Sequence, residues 1–193
     1  TYPFSALTAR MKYITRWSLM RTTRPESLSE HTADTALLAH MLCLIATRIL
    51  GQSGNEIHPE RVAAAALYHD APEILTGDLP TPVKYQTEAM RTACKALERQ
   101  GAETMARLLP GELQAEMAGW LRGETLTEAE KALLKAADRL SALIKCLEEG
   151  AAGNHEFDAA RAAQEQALHG MRCPAAEYFM AHMLPCYTQN LDE

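Results

Sequence analysis

The fold class follows from residues 132–147, which read ALLKAADRLSALIKCL. Apolar residues recur here every three or four positions, the spacing that places them on one face of an α-helix. They are Leu133, Ala136, Ala137, Leu140, Leu143, Ile144 and Leu147. Alanine and leucine, which favour helices, dominate, whereas the alternating runs of valine, isoleucine and threonine typical of strands are missing. The segment predicts a long amphipathic helix.

The same period extends along nearly the whole chain, and Leu37, Met41, Leu44 and Ile45 repeat it in a second apolar segment. We predict helices at 4–13, 28–50, 59–69, 72–76, 84–108, 111–121, 127–150, 156–170 and 174–189. No internal repeat or linker divides the sequence. The prediction is an all-α, single-domain protein over residues 1–193, with a core region at about 28–150 and C-terminal helices at about 156–189.

Capping residues and prolines indicate where helices begin and end. Ser27-Leu28-Ser29-Glu30 has the form of a capping box, and Thr127-Glu128-Ala129-Glu130 repeats that form. Residues 77–82 read GDLPTP, and two prolines this close together predict an extended loop that cannot be helical. The acidic residues Glu148-Glu149 and Glu128/Glu130 are interpreted as solvated helix faces.

Composition and charge narrow the class of partner. The 193 residues carry 19 Lys+Arg against 25 Asp+Glu, a net charge of −6, so binding to a nucleic-acid polymer is not expected. A small anion held by one or two arginines is still compatible with that charge. The five cysteines form no CxxC pair, which is typical of reduced thiols. We find neither a secretion leader nor an uncharged stretch of membrane-spanning length, and we expect a cytoplasmic protein without a membrane partner.

Four side chains are polar where the helical pattern predicts core. His31 projects along a largely apolar stripe of its helix, and His40 lies on the opposite side of the same helix. His69 and Asp70 end an apolar run, and neighbouring helical positions point about 100° apart, which suits two ligands of one ion. Asp138 interrupts the apolar face of the long helix.

Together these residues offer two imidazoles and two carboxylates from three helices. Such a mixed nitrogen and oxygen set suits a divalent ion and leaves positions open for water and substrate. Taken singly, each residue has an ordinary alternative. A buried histidine is usually a hydrogen-bonded core residue, and a helical aspartate is usually a cap or an ion-pair partner.

At this point the residues resemble a known family. His31, the His69-Asp70 pair and Asp138 are similar to the H…HD…D pattern of the HD-domain metal-dependent phosphohydrolases. A longer run, YHDAPEILTGDLPTPVKY at residues 68–85, narrows the resemblance to the bacterial 5′-deoxynucleotidases of the YfbR type. Arg16-Trp17 and Ser29-Glu30-His31 add to it, and the likeness extends from about residue 16 to residue 192.

The resemblance implies an all-helical HD-domain bundle that forms homodimers. It also implies hydrolysis of deoxyribonucleoside 5′-monophosphates with one divalent metal ion. Co2+ is the metal favoured in the family, with Mn2+, Mg2+, Zn2+, Ni2+ or Cu2+ as alternatives. Phosphate monoester hydrolysis is among the slowest uncatalysed reactions, so an ion that activates water and neutralises charge is expected.

The resemblance and the chemistry of each group together imply site residues. The metal ligands are His31, His69, Asp70 and Asp138, and the catalytic residues are Glu73, Asp78 and Arg16. Besides Arg16 and Asp78, the expected substrate contacts are Trp17, His31, Asp70, Leu79, Pro80, Thr81 and Asp138. Arginine binds phosphate oxygens bidentately, and an indole offers an apolar face to a sugar or base.

Several alternatives stay open at the level of sequence. Asp70-Ala71-Pro72-Glu73 also has the form of a helix N-cap with Pro at N2 and Glu at N3. The enzyme could be another HD phosphohydrolase, one that cleaves a phosphodiester, a nucleoside triphosphate or a pyrophosphate. A triphosphate calls for more basic residues than Arg16, Arg21 and Lys84. A non-catalytic nucleotide-binding module is the second rival.

Overall fold

The computed structural model describes residues 1–52, 57–84 and 86–189, except for the side chain of Thr81. Within these residues it contains helices and no strand, which confirms the all-α prediction. The helices are α1 (Phe4–Thr8), α2 (Leu28–Leu44), α3 (Pro59–Tyr68), α4 (Glu73–Thr76), α5 (Thr81–Lys84), α6 (Glu88–Ala106), α7 (Gly111–Leu121), α8 (Glu128–Ala151), α9 (Asp158–Gly170) and α10 (Pro174–His182). Shorter turns complete the fold: 3₁₀ turns at Ala9–Tyr13, His155–Phe157 and Leu184–Thr188, and a π-helical turn at Ile45–Ile49 that continues α2.

Two predicted features near residue 80 are wrong. Residues 77–82 are not all extended, because α5 begins at Thr81 and contains Pro82. Proline is accepted there since the first turn of a helix leaves its backbone N–H groups unpaired. The helix predicted over 84–108 instead begins at Glu88, where the side chain of Thr87 accepts a hydrogen bond from the N–H of Met90.

The core forms around α2, which packs against both α3 and α8, while α9 covers α8. The buried face of α2 includes Leu38, Ala39 and Leu42, whereas Leu37 is 73% exposed. The predicted helix is therefore right, and its buried side is the apolar stripe along which His31 projects, whereas the apolar period through Leu37 and Met41 lies on an exposed side. This packing brings the three helices that carry the candidate ligands next to one another.

Residues Leu28–Ile49, which form α2 and its π-helical turn, are long and apolar enough to cross a membrane by length and composition alone. Half of that stretch is buried inside the protein, where it packs against α3 and α8. Burial of this kind is typical of a core helix in a globular fold.

Both predicted capping boxes are present, with the Ser27 and Thr127 side chains accepting from the N–H groups of Glu30 and Glu130. The interpretation of Glu130 and Glu149 as solvated is wrong, because they are 0% and 1% exposed. Glu130 accepts hydrogen bonds from Arg61 and from the backbone N–H of His58, the residue that precedes α3. Buried carboxylates persist when they are paired in this way.

Glu149 fixes the loop that follows residue 17. Its carboxylate accepts hydrogen bonds from the N–H and hydroxyl of Thr23, from Asn154 and, at 2.6 Å, from the Lys145 ammonium. Lys145 is itself 4% exposed and donates a second bond to the carbonyl of Arg24. Burial opposes ionisation of Glu149, but the bonds from Lys145, Thr23 and Asn154 outweigh it and lower the pKa to about 2.

We expect Glu149→Gln to lower the free energy of unfolding by about 3 kcal/mol, because it leaves the Lys145 charge buried without its partner. Urea unfolding followed by circular dichroism measures the change. Since the pKa of Glu149 is lower in the folded state, its contribution is full above about pH 4.5 and is lost as the pH falls toward about 2. The gap between wild type and variant should close over that range. Glu148→Gln, at the exposed neighbouring position, is the control; an equal loss in both variants would contradict the assignment.

Candidate metal centre

Four side chains converge where α2, α3 and α8 meet. His31 lies in the first turn of α2, and Asp138 lies near the middle of α8. His69 caps the C-terminus of α3, and Asp70 follows it in the turn before α4. One nitrogen or oxygen atom from each residue lies within 4.8 Å of the others. The structure thus brings together all four residues that the sequence singled out, and it leaves His40 out of the cluster.

Each histidine Nε2 atom faces the two carboxylates. The Nε2 atom of His31 is 3.1 Å from Asp138 Oδ1 and 3.5 Å from Asp70 Oδ2. The Nε2 atom of His69 is 3.2 Å from Asp70 Oδ2 and 3.9 Å from Asp138 Oδ1. Both Nε2 atoms are buried, and neither makes a hydrogen bond of good geometry with another described residue. Unsatisfied buried nitrogens beside carboxylates are suited to sharing a cation.

The opposite ring nitrogens are already occupied. His69 Nδ1 lies 2.6 Å from the carbonyl oxygen of Ala66 and therefore donates to it, while His31 Nδ1 lies 3.0 Å from the hydroxyl of Ser141. A proton on Nδ1 leaves the Nε2 lone pair free, which is the tautomer that binds metal. The donor set and its outer partners therefore fit a divalent ion.

The electrostatics favour ionised carboxylates. Burial would raise the pKa of Asp70, but the positive charge that the neighbouring imidazoles of His69 and His31 can carry lowers it well below its usual value. The pKa of Asp138 is lowered in the same way, because its proximity to the imidazoles of His31 and His69 outweighs its burial. Two negative charges in a partly buried cluster are costly unless a cation compensates them.

The capping alternative for Asp70 and Glu73 is wrong. The helix α4 begins at Glu73 itself, with Pro72 in the N-cap position and no side-chain capping bond. The Asp70 carboxylate instead faces His31, His69 and Arg16, whose Nη1 atom is 3.8 Å from Asp70 Oδ2. Neither the Asp70 nor the Glu73 carboxylate therefore serves as a helix cap.

Arg16 and Trp17 are held beside the cluster by Glu26, a residue that sequence reasoning missed. Glu26 Oε2 accepts from Arg16 Nε at 3.1 Å and from the Trp17 indole N–H at 2.8 Å. The backbone helps, because Thr15 and Ser27 form an antiparallel bridge and the N–H of Arg16 donates to the carbonyl of Glu26. The only signal for Glu26 in the sequence is that it directly precedes the capping Ser27, and the helical period assigns no role to that position.

Glu73 is a buried carboxylate with one free oxygen. It is 5% exposed, its Oε1 atom accepts from Lys84 Nζ at 3.1 Å, and its buried Oε2 atom has no hydrogen-bond partner among the described residues. Burial, helped by the charge of Asp70, raises the pKa of Glu73 to about 7 although Lys84 opposes the shift. A carboxyl group with such a pKa can both take and give a proton near neutrality.

The other predicted substrate residues lie in the loop after Gly77, whose φ of +75° is a conformation that favours glycine. Burial raises the pKa of Asp78, and Arg16 opposes the shift, so the loop lies within electrostatic reach of the cluster. Leu79 and Pro80 are half-buried. The side chain of Thr81 lies outside the described residues. Roles for these four in substrate binding stay predictions.

Comparison with known sequences identifies the family. The profile of the family described as 5′-deoxynucleotidase YfbR-like matches residues 3–187. A 5′-deoxynucleotidase of Yersinia pestis strain Pestoides F is 43% identical over 190 residues, covering 98% of this chain and 95% of that protein. A 5′-deoxynucleotidase of Yersinia pseudotuberculosis serotype O:1b matches at the same identity and coverage.

Solved structures agree on the fold. An HD-domain phosphohydrolase of Listeria innocua superposes with a TM-score of 0.82 at 22% identity, covering 97% of this chain and 89% of that one. An HD phosphohydrolase of cyanophage S-2L, solved bound to dA and one catalytic Zn2+ ion, gives a TM-score of 0.68 at 20% identity, covering 94% and 96%. With the HD-domain fold, a match over nearly its full length and an intact His31, His69, Asp70 and Asp138 cluster, this chain belongs to the YfbR-like 5′-deoxynucleotidase family.

Proposed function

We propose that this protein hydrolyses deoxyribonucleoside 5′-monophosphates to deoxynucleosides and orthophosphate, with a divalent ion bound by His31, His69, Asp70 and Asp138. The observation that carries the proposal is the pair of buried Nε2 atoms, each without a hydrogen bond to any described residue and facing two carboxylates. The family supports the reaction, since the relatives at 43% identity are named 5′-deoxynucleotidases. When bound, the ion supplies charge neutralisation and lowers the pKa of water.

Arg16 is assigned to the phosphate. Its guanidinium already has one N–H donated to Glu26, and Nη1 lies beside Asp70 at the edge of the cluster. A planar guanidinium fixed in this way loses little freedom when it binds phosphate oxygens. Trp17 lies next to it, with its indole N–H fixed by Glu26 and its ring packed against Phe157 at 5.2 Å between centroids.

Glu73 is assigned to proton transfer. Hydrolysis requires that the attacking water lose a proton and that the 5′ oxygen of the leaving deoxynucleoside gain one. The free Oε2 atom of Glu73 can accept the first proton, and the pKa of about 7 lets the same carboxyl return it. Asp78 is the second candidate, because it is half-buried and lies in the field of Arg16.

The nucleoside is assigned to the surface formed by Trp17, Asp78, Leu79, Pro80 and Thr81. We expect selection of deoxyribose to depend on exclusion of the 2′-hydroxyl from the pocket. Hydrogen bonding discriminates strongly only in the opposite direction, when a substrate that lacks a group leaves a buried partner in the site unpaired. A tight and apolar pocket wall provides such exclusion.

Three finer attributes belong to the same proposal. Co2+ is the proposed preferred metal, although the two-nitrogen, two-oxygen donor set also suits Zn2+, Mn2+, Ni2+, Cu2+ or Mg2+. The family resemblance supports a homodimer. All five cysteines are free thiols, which supports a cytoplasmic location.

A substrate panel tests the reaction. The panel measures release of orthophosphate from dAMP and AMP, of p-nitrophenol from bis(p-nitrophenyl) phosphate, and of pyrophosphate or triphosphate from dATP, each with and without Co2+. We expect turnover of dAMP that depends on metal, with little turnover of the other three. Equal rates on AMP and dAMP would contradict deoxyribose selection. Preferred cleavage of dATP or of the diester would assign the protein to another class of HD phosphohydrolase.

A further inference from the structure

A cavity of about 470 Å³ borders the metal centre, and Arg16 is not among the residues that line it. One end of its wall is formed by His69, Asp70 and Glu73. The other end is formed by α6 and by the turn that follows α7, and neither Arg16 nor Trp17 lines it. The volume lies within the range of small-molecule sites. The cavity is therefore open space connected to the site but outside the part assigned to the phosphate and nucleoside.

Its far wall is basic. Arg91, Lys95 and Arg99 recur every four residues along α6 and line the cavity together, and Arg122 faces them from the end of α7. Residues at this spacing occupy one face of a helix. The lining carries five basic side chains, with Lys84, against the four carboxylates of Asp70, Glu73, Glu98 and Glu124, so it is slightly basic in a chain whose net charge is −6. Such a concave basic surface attracts anions.

Several of these donors are unused. The side chains of Lys95 and Arg99 form no ion pair or hydrogen bond with another residue in the described part of the chain. Arg122 donates one bond to Glu124 at 2.7 Å, but its Nε atom is buried without a partner among the same residues. The nearby acids are already committed, since Glu98 is 2.9 Å from Lys84. A buried guanidinium nitrogen without a partner is costly unless a ligand accepts its hydrogen bond.

We propose that this basic cavity, formed by Lys95, Arg99 and Arg122, is a second phosphate-binding site beside the metal centre. Phosphate offers several acceptor oxygens and a charge of about −2 near neutrality, which matches two free cations and an unpaired guanidinium N–H. Two sources can supply that group, namely the orthophosphate released by the proposed reaction and the distal phosphate of a longer nucleotide.

Orthophosphate binding to the metal-loaded full-length chain tests the proposal by isothermal titration calorimetry. Wild type is expected to bind two phosphates, one at the metal and one in the basic cavity. Lys95→Glu/Arg99→Glu should weaken the second at least tenfold and retain the first. Arg10→Glu/Lys12→Glu changes the net charge equally at exposed positions far along the chain from the cavity, and both sites should remain. Thermal unfolding establishes that each variant is folded.

The outcomes distinguish failure of this inference from failure of the proposed function, on which the supply of released orthophosphate rests. If wild type shows one phosphate site and Lys95→Glu/Arg99→Glu abolishes it, the cavity site is supported and the expected phosphate site at the metal is contradicted. If Lys95→Glu/Arg99→Glu keeps every site that wild type shows, whether one or two, the proposed cavity site is overturned. Weakening of the second site in the Arg10→Glu/Lys12→Glu control would also overturn it.

A second titration distinguishes the two sources. If the cavity takes a distal phosphate, dADP should bind wild type at least tenfold more tightly than dAMP, and Lys95→Glu/Arg99→Glu should remove the difference. If it takes only released orthophosphate, dADP and dAMP should bind alike, while added orthophosphate inhibits dAMP hydrolysis less in that variant than in wild type. Inhibition and nucleotide affinities that are unchanged by the substitutions would overturn both forms of the proposal.

Discussion

Asp138→Ala is expected to abolish metal-supported hydrolysis of dAMP, with a loss in kcat of at least about 10³-fold. Asp138 supplies the only candidate ligand from α8 within the described residues, and its Oδ1 atom is 3.1 Å from His31 Nε2 and 3.9 Å from His69 Nε2. Removing it leaves three ligands from the other two helices and takes one negative charge from the cluster. Metal affinity should therefore fall together with the rate.

The measurement pairs phosphate release with metal content, determined by mass spectrometry after dialysis. Asp158→Ala is the control, because Asp158 is an exposed aspartate at the start of α9 and should leave both quantities unchanged. Unfolding experiments should show that Asp138→Ala keeps the fold. Wild-type metal content in that variant would remove Asp138 from the ligand set.

Glu73→Gln is expected to lower kcat by about 10²- to 10⁴-fold, the range typical of a lost general acid or base. The amide has nearly the shape of the carboxyl group but cannot carry the proton. Since Glu73 is not assigned to the metal, metal content and the KM for dAMP should change little. This split between kcat and KM separates proton transfer from substrate binding.

Glu116→Gln, at an exposed position on α7, controls for the loss of one carboxylate. A rate for Glu73→Gln close to wild type would transfer the proton role to Asp78, and Asp78→Asn would then be expected to show the larger loss. Loss of metal from Glu73→Gln would instead show that Glu73 supports the ion.

The helices were predictable because each depends on local periodicity. The apolar spacing in α8 and the capping boxes at Ser27 and Thr127 are properties of neighbouring residues, and all of them appear in the structure. Which face of α2 is buried depends instead on α3 and α8. That is why Leu37 shares the apolar period of the helix and is nevertheless 73% exposed.

The residues of the site likewise fall into those that a local sequence pattern predicts and those that it does not. The candidate metal cluster was predictable because an imidazole or carboxylate in an apolar pattern is conspicuous. Glu26 and Glu149 were not, because acidic residues are usually exposed and their partners are distant in sequence or lie in irregular loops. Glu149 binds Thr23, which is 126 positions away. The basic wall of α6 was likewise missed, because its proposed role depends on a cavity that no local pattern reveals.

The most direct test of the central claim is a metal titration of the stripped protein with dAMP as substrate. Chelator-treated protein should release no phosphate. Activity should return in proportion to added divalent ion and saturate at one equivalent per chain in wild type, but not in His69→Ala. Full hydrolysis of dAMP by the metal-free protein, or equal restoration in His69→Ala, would contradict the assignment of the His31, His69, Asp70 and Asp138 cluster as the catalytic metal centre.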